Sequence, residues 1–462
     1  MSASPNARVS ERWQYSAPAG RVTRRAEEVR AALYNRPMQP PSPALAAPSA
    51  SVALAAPTRA VVADSVTGLA RRERVRGFDL ARGLAVFFMI LVHVLWHWGA
   101  PETWTTPIGE MISVLGGPTA APVFMFLMGA SLAFSSRSSF GSLASRGLWL
   151  VFLGYLLNFL RGVIPASLGL ASGVVTADQI APFTPWWLAT TIDIHHMAGL
   201  SLIAIAALRV RTRPGWIWLG LGGALVLAAP WLRSLTFGTP LLDGPLTPIL
   251  GSAPNVYYAV VPWLVYPLTG AVFGTLVAGA SDRVAIFRRG AILGAALLAA
   301  AAGLVVVQQP AFDVTTYWRE PLTFVVGIIG IVLVWLALCD VVTRQAWIDR
   351  RLGIVYGWSG RVIPMYFTHW ILVGWGIGLV GFRDLSLPAV LVAMAAAVVA
   401  TSRLSHLAVR LETKPWQFRD RIIVRRSGSL PPERHTSGAT APRRGHAPEL
   451  SLEPEIVPTD SR

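Results

Sequence analysis

The chain of 462 residues is poor in charge and nearly without cysteine. Only 14% of its residues are charged, against about a quarter in a soluble domain, and 53% are hydrophobic. With a mean hydropathy of +0.51, this excludes an ordinary soluble globular class and points to an integral membrane protein. The single cysteine, Cys339, excludes a disulfide framework or a cysteine-based metal site within one chain. The first 70 residues lack a short apolar core followed by a cleavage site. No cleaved signal peptide is expected, and the first spanning helix directs insertion. The net charge of +16 is nearly all arginine, gathered between apolar runs and near the ends. It reads as topology charge and a basic juxtamembrane face, so no nucleic-acid partner is expected.

What the chain does have is length for many bilayer crossings. Ten segments near the ~20 residues a bilayer requires centre on 78–98, 118–136, 146–164, 191–208, 215–232, 255–279, 288–308, 321–340, 362–380 and 386–408. The predicted class is an all-α integral membrane protein with one polytopic domain over 71–411. It is flanked by tails at 1–70 and 412–462, rich in Pro and Arg and expected to be disordered, with one candidate helix at 21–35. If the "RRERVR" run at 71–76 is cytoplasmic, the same-side loops hold Arg137, Arg146, Arg209, Arg211, Arg213, Arg283, Arg288, Arg289, Arg344, Arg350, Arg351 and Arg361. The opposite loops hold only Arg161, Arg233, Arg319 and Arg383. The positive-inside rule then puts both termini in the cytoplasm of a multi-pass plasma-membrane protein. The longer outer loops, 165–190 and 233–254, suit the rim of an outward-facing site.

The first segment, "RGFDLARGLAVFFMILVHVLWHWG" (76–99), carries Asp79, Arg82, His93 and His97 in an otherwise apolar run. Such groups cost about 2.5–3.5 kcal/mol each at depth, so they normally face a protein interior or cavity. At about 100° per residue Arg82 and His93 share one face, about 16 Å apart along the axis. Asp79 and His97 extend the same stripe. An arginine near the cytoplasmic end can hold a phosphate-bearing donor whose extended arm reaches the outer imidazole. His93 can then deprotonate a hydroxyl or amine, or take the acyl group itself. The alternative for Asp79 and Arg82 is an i,i+3 ion pair that anchors the helix end.

Other polar residues fall at the same depths. "TIDIHHMAGL" puts Asp193, His195 and His196 at the outer start of the fourth segment. Asp193 suits either an orienter of a histidine or a helix cap, and only one of the two adjacent histidines is expected to face the bundle. His369 in "MYFTHW" falls within the ninth segment, either lining the same cavity or bonded between helices. Arg361 at its cytoplasmic start is a second candidate for donor phosphates or a topology charge. Gly129, Ala130 and Ser131 read as close helix packing, and Trp186 and Trp187 as an interfacial belt.

Arg82, ten residues and then His93 resemble the R-x10-H motif of the membrane acyltransferase-3 family. "RGFDLARGLAVFFMILVH" with "APVFMFLMGASLAFSS" (121–136) is still more similar to the catalytic domain of heparan-α-glucosaminide N-acetyltransferase and its bacterial relatives. "DIHHMAGLSLI" and "PMYFTHWIL" add weaker likeness, and the whole covers roughly 74–410. The heparan enzyme has Asn at the position matching His93 and a histidine in the following loop. Residues 100–117 hold no histidine here, so the acyltransferase-3 pattern applies at that position. The resemblance implies transfer of an acyl group, acetyl in the first instance, from cytosolic acyl-CoA to an envelope glycan or amino sugar outside. Arg82 and Arg361 would bind the donor, with His93, His97, Asp193, His195 and His369 as catalytic candidates, Asp79 orienting, and no metal. The expected partners are the bilayer, acyl-CoA and the glycan acceptor, with a homodimer left open. The main alternative is a polytopic transporter or flippase, although its acids, Asp79 and Asp340, lie near helix ends. A metal or haem protein would need more than the His93/His97 spacing, since no HExxH pattern is present.

Overall fold

A computed structural model describes residues 74–136, 139–308 and 321–426, with side chains as far as residue 410. The expected tail at 1–70, its helix at 21–35, and residues 427–462 lie outside the described residues. Among the described residues the fold is all-α, as expected, and ten helical segments are long and apolar enough to cross a membrane. The last helix runs from Leu387 to Arg426, past the boundary expected at 411.

The helices used below are α1 (Arg76–Trp98), α2 (Pro107–Gly116), α3 (Ala121–Ser131), α4 (Phe140–Asn158), α5 (Ile164–Ser172), α6 (Ile194–Arg211), α7 (Trp216–Arg233), α8 (Val265–Gly279), α9 (Arg283–Gln308), α10 (Leu322–Arg344), α11 (Gly353–Ser359), α12 (Val362–Val380) and α13 (Leu387–Arg426). Three of the crossings are composite, and in the sixth a short helix, Val260–Trp263, leads into α8 with a non-helical residue at Val261. The second begins at Pro107, inside what the sequence reads as a loop, and combines α2 and α3. Thr106 caps α2 by accepting from Gly109 N–H, and Gly117 and Pro118 interrupt the helical path before α3 resumes it. The third joins α4 to α5 through a π-helical turn, Phe159–Val163, so helix occupies the first part of the expected outer loop at 165–190.

At the centre stands α1, packed against α2, α3, α10, α11, α12 and α13. In lipid there is little hydrophobic gain from joining helices, so close van der Waals packing through small residues has to hold them. Ala81 and Ala85 are fully buried, and between them Gly83 meets α11 so closely that a Cβ there would lie 2.3 Å from the Val355 carbonyl oxygen. Asp79 in the first turn complements the positive end of the helix dipole, in place of a side-chain cap. At the other end Trp98 donates from Nε1 to the Val373 carbonyl, 3.0 Å away, which pins α1 to α12. Arg383, in the left-handed region at φ 60°, donates its backbone N–H to the His97 carbonyl and so satisfies a C-terminal acceptor of α1.

Candidate active site

The polar stripe of α1 ends in two separate clusters. At the N-terminal end, Arg82 donates from Nη1 to Asp79 Oδ1 at 3.2 Å and to Ser359 Oγ at 3.4 Å, and from Nη2 to Ser131 Oγ at 3.0 Å. Ser359 also donates to Asp79, at 3.1 Å, and Arg74 pairs with the same carboxylate. The i,i+3 ion pair is therefore present, and it is one part of a junction between α1, α3 and α11. Ser131 itself donates to the Leu127 carbonyl, so it is free to accept from Arg82. Gly129 and Ala130 pack against α8, as the sequence suggests. Nearby, Asp349 takes bonds from Arg76 and from the Tyr356 hydroxyl. Burial raises the Tyr356 phenol above its ordinary pKa, which keeps it a donor. Arg361 lies at this end but not in the cluster. Its guanidinium is bound to the Gly357 and Ser402 carbonyls and to Ser405, tying α11 and α13 together.

The second cluster lies toward the other end of α1, where α12 presents Tyr366, His369 and Trp370 on one face. His93 Nδ1 and His369 Nε2 are 3.0 Å apart. Because the Met365 carbonyl accepts from His369 Nδ1 at 3.1 Å, a neutral His369 has its lone pair on Nε2. His93 Nδ1 must then carry the proton of the shared bond, which leaves the lone pair of neutral His93 on Nε2. His97 donates from Nδ1 to the His93 carbonyl at 2.9 Å, and its Nε2 is likewise the basic nitrogen. Trp370 closes the group, with its ring 4.2 Å from that of His93 and 5.2 Å from that of His97.

Behind Trp370 the start of α6 meets the π turn. Asp193 caps α6 by accepting from Ile194 N–H at 2.7 Å. Its other oxygen accepts from Arg161 at 2.7 Å and from the Tyr366 hydroxyl at 3.0 Å. Arg161 also donates to Asn158 at 3.2 Å, and its guanidinium carbon lies 4.2 Å from the centre of the Trp370 ring. The π turn sets this arginine into the bundle, and π turns are frequent at functional positions. Gly374 makes the approach possible, since a Cβ there would fall 2.0 Å from the Arg161 carbonyl oxygen.

Two expectations about this region change. Both adjacent histidines are buried, on different sides of α6. His195 packs its ring against Tyr366 and Phe367 of α12, whereas His196 sits beside Gly154 and Tyr155 of α4. His196 Nδ1 accepts the Asp193 N–H at 3.1 Å and so belongs to the cap. Nor does Asp193 orient either imidazole with its carboxylate, because a guanidinium and a phenol, both better donors, already occupy that oxygen. Among the described residues His195 Nδ1 has no hydrogen-bond partner. Trp186 is exposed, as an interfacial residue would be.

The structure thus brings His93, His97 and His369 together, places Asp79 with Arg82 at the other end of α1, and leaves Arg361 outside both groups. It adds Arg161, Tyr366, Trp370 and Ser359, which sequence reasoning passed over. For Arg161 a signal existed: it interrupts the apolar run "LLNFLRGV", where a charge needs a partner. Among the described residues no group of three or more His, Cys, Asp or Glu side chains could hold a metal ion.

The described residues thus form a polytopic helical bundle with paired imidazoles between two of its helices. The family model for heparan-alpha-glucosaminide N-acetyltransferase, catalytic, matches residues 74–305, and the chain belongs to this family of acetyltransferases. The match takes in Arg82, His93, Arg161 and Asp193; α12, with His369, follows it. No individual curated protein matches the chain.

Proposed function

We propose that the protein transfers an acetyl group from cytosolic acetyl-CoA to an amino sugar or other glycan acceptor at the outer face of the cell membrane. The observation that carries this reading is the His93–His369 bond with His369 anchored on the Met365 carbonyl, which leaves Nε2 of His93 as an oriented base. Its partner is Arg82, on the same helix and about 16 Å away. That span matches an extended pantetheine arm, so donor phosphates near Arg82 and a thioester near His93 suit one ligand. Arg361 adds positive potential at the donor end. His97 stands one turn beyond His93 and supports it, and Asp79 holds Arg82 in place. Asp193 and His195 support the α12 face from behind. Both termini are then cytoplasmic, and the bilayer, acetyl-CoA and the glycan acceptor are the partners.

In the direct form of the reaction, the acceptor amine attacks the thioester carbon and its proton passes to His93 Nε2. Collapse then breaks the C–S bond, and the imidazolium returns that proton to the sulfur as CoA leaves.

The test is transfer of label from acetyl-CoA to glucosamine, and to an envelope glycan extract, by purified protein in lipid nanodiscs. Loss of transfer in a folded His93→Ala protein that still binds acetyl-CoA supports the reading. Retained transfer moves the base to another residue. A folded wild type that binds no acetyl-CoA overturns it.

A further inference from the structure

Arg161 has more hydrogen-bonding capacity than its surroundings use. Its Nη2 serves both Asp193 and Asn158, while Nη1 is buried and has no hydrogen-bond partner among the described residues. An arginine placed only to neutralise a carboxylate commonly pairs through two parallel bonds. Asp193 cannot offer that geometry here, because one of its oxygens caps α6 and the other is shared with Tyr366. The guanidinium also lies against the same indole as the proposed base. The Arg161 carbon and the His93 ring centre are each 4.2 Å from the centre of the Trp370 ring, so they are separated by at most twice that distance.

We infer that Arg161 is a catalytic residue whose Nη1 binds the carbonyl oxygen of the acyl donor and stabilises the oxyanion formed on it. The inference rests on the acyl-transfer reading above. As the acceptor lone pair adds to the thioester carbon, the C=O π pair moves onto oxygen. His93 Nε2 takes the acceptor proton, and the negative charge on oxygen meets the Nη1 donor. When that pair returns to re-form C=O, the C–S bond breaks and sulfur leaves with the proton from His93. A fixed donor at this point acts in a water-poor site, where it favours the transition state over the neutral thioester. Asp193, Asn158 and Tyr366 position Arg161, and they do so without occupying Nη1.

Two inert donor analogues separate this role from a structural one. S-carboxymethyl-CoA carries a carboxylate one methylene beyond the thioester carbonyl position, and S-acetonyl-CoA carries a neutral ketone at that same place. Binding of each is measured by calorimetry in nanodiscs for wild type, for Asp193→Asn, and for the double variant Arg161→Gln/Asp193→Asn. The double variant removes both charges together, so it avoids a buried unpaired carboxylate. Wild type and Asp193→Asn are expected to prefer the carboxylate analogue at least ~10-fold, and the double variant to bind both alike. The double variant should also lower kcat for acetyl transfer by about 10²–10³-fold while KM for acetyl-CoA moves little. An equal preference in wild type and the double variant overturns the assignment, as does loss of preference in Asp193→Asn alone. A wild type that binds both analogues equally overturns it while leaving the donor site standing. A wild type that binds neither overturns the donor reading and this inference with it.

Discussion

Nδ1 of His93 and Nε2 of His369 meet at 3.0 Å across the contact between α1 and α12, with the two rings within 11° of parallel. His369 is the fixed member, because its second nitrogen is spent on the backbone of its own helix. His93 is the member with a nitrogen to spare. The asymmetry assigns different roles to two residues of the same type.

Replacing His369 should therefore mis-set the base without removing it. His369→Ala is expected to lower kcat by about 10²-fold, short of the loss in His93→Ala, because His93 then exchanges freely between tautomers. His369→Gln, whose side-chain oxygen still accepts from Nδ1, should recover part of the activity. Steady-state kinetics of the three variants decide the matter, and equal activity of His369→Ala and wild type would contradict it.

Arg82→Ala should act on binding. Losing a charge-assisted contact to phosphate is worth roughly 1.5–3 kcal/mol, about 10–100-fold in KM for acetyl-CoA. The effect should shrink as salt is raised. A fall in kcat at unchanged KM would place Arg82 in the chemistry instead.

At Gly374 the prediction concerns geometry. An alanine Cβ there would sit 2.0 Å from the Arg161 carbonyl oxygen, and that neighbour is backbone, so α12 and the π turn have to separate. Gly374→Ala should lower Tm by several degrees, typical of overpacking by about 1–3 kcal/mol. Activity should fall further than the lost stability explains. Gly378, on the same helix with open space beside it, should accept alanine with a much smaller change in Tm.

The membrane orientation can be tested with little preparation, since the lone Cys339 is buried at 2% exposure. Trp186→Cys and Trp347→Cys place thiols at positions that are 77% and 58% exposed. An impermeant maleimide applied to intact cells should label the first only. The second should react once the membrane is opened. The reverse pattern would invert the topology and place the bases on the cytoplasmic side.

The ten crossings were legible because length and apolarity alone define a span. The start of the second crossing at Pro107 was not, since a run of polar residues around Pro101–Pro107 resembles a loop until the cap at Thr106 is seen. His93 and His369 were each visible as polar residues in apolar runs. Their pairing was not, because they are 276 positions apart and no local period links them. Arg161 was counted as an outer-loop charge, for a π turn leaves no simple sequence signature. Adjacent His195 and His196 seemed to compete for one interior, but α6 is enclosed on two sides, by α12 and by α4.

α1 acts as a ruler. Arg82 and His93 sit on one unbroken helix, where every residue adds a fixed rise and a fixed rotation. One inserted residue would turn His93 about 100° off the Arg82 face, and four would restore the face while lengthening the gauge by about 6 Å. In the proposed reaction the donor is thus measured against a scale that does not stretch. Loading and release then fall to the helices around α1, and a donor with a shorter arm would bind at one end without reaching the other.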